Sequence, residues 1–337
     1  MVNIYGTLGP ACGSEKVLAE MFSLGMSGMR LNLSHVTLAE SGELIGRMKR
    51  AAEKCGIKPQ LLVDLQGPEL RTGTLAEPVS LKNGEIIEIC AKPEKHAKVV
   101  LPDLTFPYLV PGQEVLLDDG KIHLKIVEKP ENASEGRYFA KVLWGGLLKS
   151  RKSAALPGAK IYPPTLTDSD LANIKIAREM GVTGVMQPFV RDHRDLECVK
   201  EALREADAGD IKLFAKIENM DGVRKLAELL PAADEIVIAR GDLGNAVHLW
   251  DLPGIQHQIS EECRAAGKPF MVVTQMLASM ERSPVPTRAE VNDIFHAVLD
   301  GAASIMVTGE TAVGDYPVEV IRYMVNTVKS AEKYRMQ

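Results

Sequence analysis

The sequence predicts an α/β protein: a (β/α)8 TIM barrel with a small all-β insert domain after its third strand. Short β-rich apolar runs alternate with helical patterns, three before residue 67 and five after residue 153. The length of 337 residues equals that of a barrel of about 250 residues plus one insert. A doubly wound open sheet is the structural rival.

The first part of the barrel has three predicted strands and two predicted helices. The strands cover residues 2–7, 28–33 and 60–64, and the helices cover 14–24 and 38–54. Ser34 or Thr37 is the predicted N-cap of the second helix. No helical pattern follows the third strand, so we expect the chain to leave the barrel there.

The insert is predicted from a shift to alternating strands separated by turn signals. These strands cover residues 85–90, 114–117, 122–127 and 138–144. Asp119 and Gly120 form a strong hairpin signal between two of them. We therefore assign residues 67–153 to a β-barrel-like lid domain, and residues 1–66 and 154–337 to the catalytic barrel.

After the insert, the βα alternation resumes with five further strands. They cover residues 184–186, 212–217, 235–239, 270–273 and 304–307. The predicted helices cover residues 168–180, 192–206, 221–230, 255–266, 288–300 and 317–333. Thr167 or Asp168 is the predicted cap of the first of these helices.

Composition excludes several classes of protein. The net charge of −5 implies no basic field for nucleic acid or anionic membrane. No apolar run approaches the roughly 18 residues that cross a bilayer. Residues 1–15 carry no Lys or Arg, and the five cysteines include no C-x-x-C pair. We expect a cytoplasmic protein with reduced thiols and no leader.

Known catalytic motifs are also absent from the sequence. There is no P-loop and no G-x-G-x-x-G, which disfavours the common nucleotide folds. G-x-S-x-G, H-E-x-x-H and a Cys–His constellation are missing as well, so serine hydrolases and zinc proteases lose support. The remaining interpretation is a metal-dependent barrel that handles a small anionic substrate.

The polar residues of this barrel cluster where strands end, which is the catalytic face of such a fold. Lys216 interrupts an apolar strand, and alternation puts it on the same side as Glu218. Glu218 and Asp242 end adjacent strands, and oxygen ligands of this kind suit Mg²⁺ or Mn²⁺. A lysine beside such a cation would stabilise phosphoryl or enolate oxygens.

Structural interpretations of the same residues stay open at this point. Asp64 and Arg71 could form an ion pair at a hinge, and Lys216 with Glu218 could be a satisfied core pair. Thr274 taken alone is more often structural than catalytic.

Nine ordered motifs resemble the pyruvate kinase family over nearly the whole chain. They are GTLGPA at residues 6–11, MRLNLSH at 29–35, DLQGPELRTG at 64–73, KIEN at 216–219, ARGDLG at 239–244, TQML at 274–277, PTRAE at 286–290, GETA at 309–312 and GDYP at 314–317. The resemblance implies a glycolytic phosphotransferase that passes the phosphoryl group of phosphoenolpyruvate to ADP, giving pyruvate and ATP.

The resemblance also implies roles for single residues. Lys216 would neutralise the phosphoryl group in flight, Arg30 would bind the phosphate, and Thr274 would help to protonate the enolate. Gly241 and Asp242 would complete the substrate site, where backbone N–H groups hold the carboxylate.

The implied cofactors are Mg²⁺ (or Mn²⁺) and K⁺. Glu218 and Asp242 would be the Mg²⁺ ligands. The K⁺ ligands would be Asn32, Ser34, Asp64 and the carbonyl of Leu65, and Glu69 is the family variant associated with a need for K⁺. The nucleotide phosphates would face His35, Arg71 and Lys152.

The sequence departs from the family pattern at several positions, and the chain stops at Gln337. We therefore expect a short form without the family's C-terminal domain, and a homo-oligomer through the barrel stays open. Leu65, Gln66, Ala155 and the pair Gln187-Pro188 replace usual residues. These departures affect nucleotide preference, K⁺ affinity and turnover more than the class of reaction.

Two alternative functions remain beside the phosphotransferase. One is a metal-dependent lyase or aldolase that acts on pyruvate-like acids. The other is a non-catalytic module that binds phosphoenolpyruvate without turnover. Lys216 and the monovalent-cation motif disfavour the lyase, whereas the departures at Gln66, Ala155 and Gln187 keep the binding module open.

Overall fold

The computed structural model describes residues 2–34, 36–93, 97–118, 120–128, 137–159 and 161–335. The chain divides into two compact units, and each is described by itself. The barrel unit consists of Met1–Gly67 with Thr165–Gln337, and the β unit consists of Pro68–Pro164.

Sixteen strands are assigned within the described residues, numbered in chain order. They are β1 (Asn3–Thr7), β2 (Gly28–Asn32), β3 (Gln60–Asp64), β4 (Val79–Leu81), β5 (Ile86–Cys90), β6 (Val99–Val100), β7 (Glu114–Leu117), β8 (Ile122–Val127), β9 (Tyr138–Trp144), β10 (Gly146–Leu148), β11 (Ala154–Ala155), β12 (Gly184–Gln187), β13 (Lys212–Ile217), β14 (Glu235–Ala239), β15 (Phe270–Val273) and β16 (Ser304–Met306).

Twelve α-helices accompany these strands in the described part of the chain. They are α1 (Glu15–Leu24), α2 (Gly42–Lys54), α3 (Asp168–Lys175), α4 (Ala177–Met180), α5 (His193–Glu205), α6 (Met220–Arg224), α7 (Leu226–Leu229), α8 (Arg240–Ala246), α9 (Leu252–Ala265), α10 (Arg288–Leu299), α11 (Gly309–Ala312) and α12 (Pro317–Arg335). No helix in these described ranges is long and apolar enough to cross a membrane.

The barrel unit is a closed parallel barrel with the strand order β1-β16-β15-β14-β13-β12-β3-β2. Closure depends on the pairing of the first and last strands, in which Asn3 lies opposite Ser304. The eight-stranded barrel predicted from the sequence is therefore confirmed, and the open-sheet rival is wrong.

The barrel has an apolar interior and a larger apolar layer between strands and helices. The interior side chains are those of Tyr5, Leu62, Met186, Phe214, Val237, Ala239, Met271, Val273 and Met306. Gly184 makes room for one of them, since a Cβ there would lie 2.5 Å from the Phe214 ring. This packed interior supports the polar strand ends above it.

The β unit contains a six-stranded sheet, β11-β7-β8-β9-β5-β6, and the pair β10-β4. It has its own apolar core, which includes Val115, Leu124 and Val142. It extends to Pro164 rather than to the residue 153 of the sequence prediction. The strand β11 belongs to this unit because it pairs with β7. It has only two residues, which is too short to leave a periodic pattern in the sequence. Asp119 of the predicted hairpin lies outside the described residues.

Helix boundaries differ from the predictions where local capping decides them. The second helix begins at Gly42, and its N-cap is Ser41, so the caps predicted at Ser34 and Thr37 are wrong. Thr37 Oγ1 donates a hydrogen bond to Glu40 instead, which closes a turn before the helix. The cap predicted at Thr167 is confirmed, and it forms a capping box with Asp170.

The base of the barrel holds a carboxylate on an otherwise apolar side. Alternation along β14 places Glu235 on the same face as Val237 and Ala239, which line the interior. Ser304 Oγ donates a hydrogen bond to Glu235. Burial raises the pKa of Glu235 to about 7, although the Ser304 hydroxyl and the Lys212 charge act to lower it.

The raised pKa of Glu235 predicts that stability falls as pH rises. Between an unfolded pKa of 4.5 and a folded pKa of about 7, only the folded state holds the proton. The free energy of unfolding should therefore decrease through this window and stay low above it. Glu235→Gln should raise it at pH 8 by up to about 3 kcal/mol and by much less at pH 5, measured by urea unfolding.

Glu201→Gln on the exposed face of α5 is the matched control, with an expected change of less than about 0.5 kcal/mol at either pH. An equal effect of Glu235→Gln at both pH values would contradict the titration of this group.

Candidate active site

The polar ends of β2, β3 and β13 meet at one edge of the barrel. Arg30, Asp64 and Lys216 reach this point from three different strands. Their side chains are nearly buried, with exposed fractions of 11%, 2% and 12%. The register of the parallel strands brings them together, because β2 and β3 are neighbours and Asn32 lies opposite Asp64.

Asp64 is held between two cations. The Arg30 guanidinium lies 2.6 Å from Asp64 Oδ2 through Nη2, and its Nε donates to the same oxygen at 2.8 Å. Lys216 Nζ lies 3.1 Å from Oδ1 and 3.0 Å from Oδ2. Burial acts to raise the pKa of Asp64, but Lys216 and Arg30 outweigh it and hold the pKa below its ordinary value. Asp64 is therefore ionised at neutral pH.

Lys216 also contacts a second carboxylate. Its Nζ lies 2.9 Å from Glu218 Oε1. Burial acts to lower the pKa of Lys216, whereas Asp64 and Glu218 raise it, and the net direction is upward. The lysine therefore remains a cation although its side chain is buried. The structural alternative of a Lys216–Glu218 core pair is incomplete, because Lys216 also pairs with Asp64.

Glu218 is a buried carboxyl group whose surroundings disfavour its charged form. Its Oε2 accepts a hydrogen bond from the Phe189 N–H at 2.8 Å. Burial raises the pKa of Glu218 to about 7, and the charges of Asp242 and Asp64 raise it against the opposing effect of Lys216. A divalent cation at Glu218 and Asp242 would relieve this repulsion.

The donor set suits Mg²⁺ better than a cation that needs a complete protein cage. Within the described ranges, no group of three or more His, Cys, Asp or Glu residues could hold a metal. Mg²⁺ usually binds through one or two carboxylates and takes its other ligands from water and substrate oxygens. The half-buried Asp242, in the first turn of α8, and the buried Glu218 supply that number.

The residues predicted to bind K⁺ lie at the ends of β2 and β3. Asn32 ends β2, and its Oδ1 accepts a hydrogen bond from the Ser34 N–H at 3.1 Å. Among the described residues, Asp64 Oδ1 accepts a hydrogen bond from Lys216 alone, so this oxygen has capacity for another cation. Leu65 places its side chain in the outer core, so only its backbone can serve as a ligand. The side-chain and backbone oxygens of this group fit a weakly bound monovalent cation.

Thr274 follows β15 in an unusual backbone conformation. Its φ is 81°, and that of Gln275 is 55°. A β-branched residue in this region is strained by about 1–3 kcal/mol. The Thr274 carbonyl accepts hydrogen bonds from Arg240 Nη2 at 2.7 Å and Nε at 3.2 Å. A Cβ on Gly241 would lie 3.0 Å from Thr274 Cγ2, so the glycine allows the close approach.

Two buried carboxylates hold the loops around this edge, and the sequence analysis gave neither a role there. Glu310 accepts from the Leu277 N–H at 3.2 Å and from the Thr308 N–H at 2.7 Å. Asp170 accepts from the Gln66 N–H at 2.8 Å and from the Gly67 N–H at 3.0 Å. The sequence signals for these two residues were the GETA motif at residues 309–312, which contains Glu310, and the capping-box spacing of Thr167 and Asp170.

None of the three predicted nucleotide ligands belongs to the described part of the barrel unit. His35 lies outside the described residues. Arg71 and Lys152 belong to the β unit, where Arg71 pairs with Glu69 at 2.5 Å and Lys152 pairs with Asp118 at 2.7 Å.

The departures from the family motif have structural surroundings of their own. Gln187 is fully buried, and its Nε2 donates to the carbonyls of Thr165 and Pro188 at 3.2 Å each. A Cβ on Gly67 would lie 2.5 Å from the Pro188 ring. Gln187-Pro188 therefore packs against Gly67 and Thr165, the two residues of the barrel unit that flank residues 68–164 in sequence.

The chain is similar to known proteins over nearly all of its length. A family model of the pyruvate kinase barrel domain matches residues 1–321. The pyruvate kinase of Geobacillus stearothermophilus is 39% identical over 324 residues, which cover 94% of this chain and 54% of that protein. The pyruvate kinase of Bacillus licheniformis is 36% identical over 333 residues, covering 97% and 56%.

The pyruvate kinase of Aeropyrum pernix is 37% identical over 332 residues, covering 98% of this chain and 71% of that protein. The chain thus spans about half the length of the two relatives from Geobacillus and Bacillus. The matched residues 1–321 include every strand end that carries the buried ionic cluster and the strained threonine. On this match, the chain belongs to the pyruvate kinase family.

Proposed function

We propose that this chain catalyses transfer of the phosphoryl group of phosphoenolpyruvate to ADP, giving pyruvate and ATP. The observation that carries the proposal is the buried cluster of Arg30, Asp64, Lys216 and Glu218 at the catalytic edge of the barrel. Phosphoryl transfer needs positioned positive charge more than covalent chemistry, and this cluster supplies two fixed cations. Membership in the pyruvate kinase family supports the same reaction.

Lys216 and Arg30 would act on the phosphoryl group. Both are anchored by Asp64, so their charged ends are held in place before substrate arrives. Charges held in a buried site need little reorganisation during the reaction, and therefore stabilise the transferring group more than the same charges in water. Arg30 would bind the phosphate oxygens, and Lys216 would stabilise the group between donor and acceptor.

Glu218 and Asp242 would hold Mg²⁺ or Mn²⁺, since their repulsion in its absence fits a dication at this point. When bound, the ion neutralises phosphoryl and enolate oxygens as a Lewis acid. Gly241 and Asp242 would present backbone N–H groups to the substrate carboxylate. Thr274 would help to deliver a proton to the enolate, whose C3 forms a new C–H bond to give pyruvate.

The other assignments are part of the same proposal. Asn32, Ser34, Asp64 and the Leu65 carbonyl would bind K⁺, and His35, Arg71 and Lys152 would bind the nucleotide phosphates. A cytoplasmic location, the absence of nucleic-acid and membrane partners, and a homo-oligomer through the barrel stay predictions. The preferred diphosphate depends on the effect of Gln66 and Ala155.

Replacement of Lys216 should abolish the reaction without unfolding the protein. We expect Lys216→Met to lower pyruvate formation from phosphoenolpyruvate and ADP by at least about 10³-fold, because it removes the lysine's positive charge that would stabilise the phosphoryl group during transfer. In this variant Asp64 keeps its Arg30 partner, and Glu218, whose pKa already lies at about 7, can take up a proton, so the protein should stay folded with a lower melting temperature. A lactate-dehydrogenase-coupled assay with Mg²⁺ and K⁺ measures the rate.

Lys200→Met on α5, where Lys200 pairs with Glu197, is the matched control and should retain full activity. Turnover in Lys216→Met equal to that of the unmodified chain would remove the proposed role. A folded chain that binds phosphoenolpyruvate but turns over no diphosphate would favour the binding module, and cleavage of a pyruvate-like acid without a diphosphate would favour the lyase.

The proposed cation site predicts that activity depends on K⁺. Exchange of K⁺ for tetramethylammonium at constant ionic strength should lower the rate by at least about tenfold, because one positive charge near the phosphoryl group is lost. Ser34→Ala should raise the half-saturating K⁺ concentration several-fold by removing an oxygen ligand. Ser23→Ala, on the exposed end of α1, should leave that concentration unchanged. Equal rates in both salts would exclude the site.

A further inference from the structure

The loop that carries Thr274 needs an external support. Thr274 and Gln275 have consecutive positive φ angles of 81° and 55°. A threonine in the left-handed region places its branched side chain against its own backbone. Such a conformation persists only where neighbouring groups impose it, and it is most often found at functional sites.

Arg240 is the group that binds this strained residue. Its guanidinium approaches the Thr274 carbonyl with two nitrogens, Nη2 at 2.7 Å and Nε at 3.2 Å. Because both donors belong to one planar group, they fix the direction of the carbonyl as well as its distance. That direction constrains the backbone angles of Thr274.

Arg240 is itself held by residues that lie away from the ionic cluster of Lys216. The carboxylate of Asp293 on α10 pairs with Arg240 Nη1, which lies 2.8 Å from Oδ1 and 2.7 Å from Oδ2. Gln256 of α9 lies 3.5 Å from the same nitrogen, and Met276 Sδ lies 3.0 Å from Nη2. The exposed fraction of the Arg240 side chain is 13%. Each of the three guanidinium nitrogens of Arg240 therefore has a partner within the protein.

The opposite side of Thr274 is restricted by the residue after Arg240. A Cβ on Gly241 would approach Thr274 Cγ2 to 3.0 Å, which is tighter than an ordinary contact. The threonine methyl group therefore packs directly on the backbone of α8. With the carbonyl clamped and the methyl group confined, the hydroxyl has little freedom of position.

We propose that Arg240 is a positioning residue for Thr274, acting through the carbonyl to maintain the left-handed backbone that aims the hydroxyl. Its chemical consequence rests on the proposed function. In the protonation step the Thr274 O–H bond breaks as the C3–H bond of pyruvate forms, and solvent returns a proton to the oxygen. Arg240 touches neither reacting atom, so its removal should slow this step more than substrate binding.

The test compares Arg240→Lys with the unmodified chain. Lysine keeps the charge but cannot donate two hydrogen bonds in one plane. We expect exchange of the pyruvate C3 hydrogens with D₂O, followed by NMR with Mg²⁺ present, to slow by at least about tenfold, since a displacement of the order of 1 Å can cost about 10²-fold. The dissociation constant for phosphoenolpyruvate should change by less than about threefold.

A structural readout tests the same inference without any reaction. In a crystal structure of Arg240→Lys, the φ of Thr274 should move from the left-handed region to a negative value. Asp293→Asn should slow the exchange by a smaller factor, because it loosens Arg240 without removing it. This variant also carries the test if Arg240→Lys fails to fold in thermal unfolding.

Arg264→Lys, on the exposed face of α9 where Arg264 pairs with Glu261, is the matched control and should leave exchange and binding unchanged. Exchange at the unmodified rate in a folded Arg240→Lys, or an unchanged φ at Thr274, overturns the inference. Loss of phosphoenolpyruvate binding in parallel with exchange also overturns it. If the unmodified chain shows neither exchange nor transfer, the proposed function fails, and the φ comparison still decides the role of Arg240.

Discussion

The buried attraction between Asp64 and its two cations is the interaction on which the candidate site depends. Taking a single charge out of water costs several kcal/mol, and a buried carboxylate without partners would be protonated. Here Arg30 and Lys216 compensate Asp64, and Glu218 in turn compensates Lys216. The four groups lie on β2, β3 and β13 or directly after it, so each charge is stable only because the closed barrel brings its partners to the same edge.

Buried carboxylates also determine the shape of the loops that surround this edge. Glu218 accepts the N–H of Phe189, Glu310 those of Leu277 and Thr308, and Asp170 those of Gln66 and Gly67. Loop N–H groups have no strand partner, and an unsatisfied buried donor costs about 1–3 kcal/mol. Carboxylates that accept two such bonds therefore order loops that have no regular structure of their own. The loop of Thr274 is also ordered by a side chain, since Arg240 binds the carbonyl of its strained backbone.

Most of the barrel could be predicted because each strand carries a local pattern. The bounds of β3, β13, β14 and β15 match the predicted ranges, since apolar β-rich runs ended by charged or turn residues have recognisable limits. Features that depend on contacts distant in sequence were missed. The two-residue strand β11 exists only because β7 is beside it, and α8 (Arg240–Ala246) lies outside every predicted helix range. The shift of α2 from residue 38 to Gly42 reflects a local turn at Thr37 that competes with the helix.

The sequence by itself determined the fold class, the position of the insert and the residue types at the strand ends, because hydrophobic period and turn chemistry are local properties. It also placed Lys216 and Glu218 on one side of a strand, since alternation needs no partner. Only the tertiary structure decided that Asp64 pairs with Arg30 and Lys216, and that Arg240 supports Thr274. These contacts join residues 34 to 152 positions apart, and their distances follow from barrel closure and strand register, which no local pattern encodes.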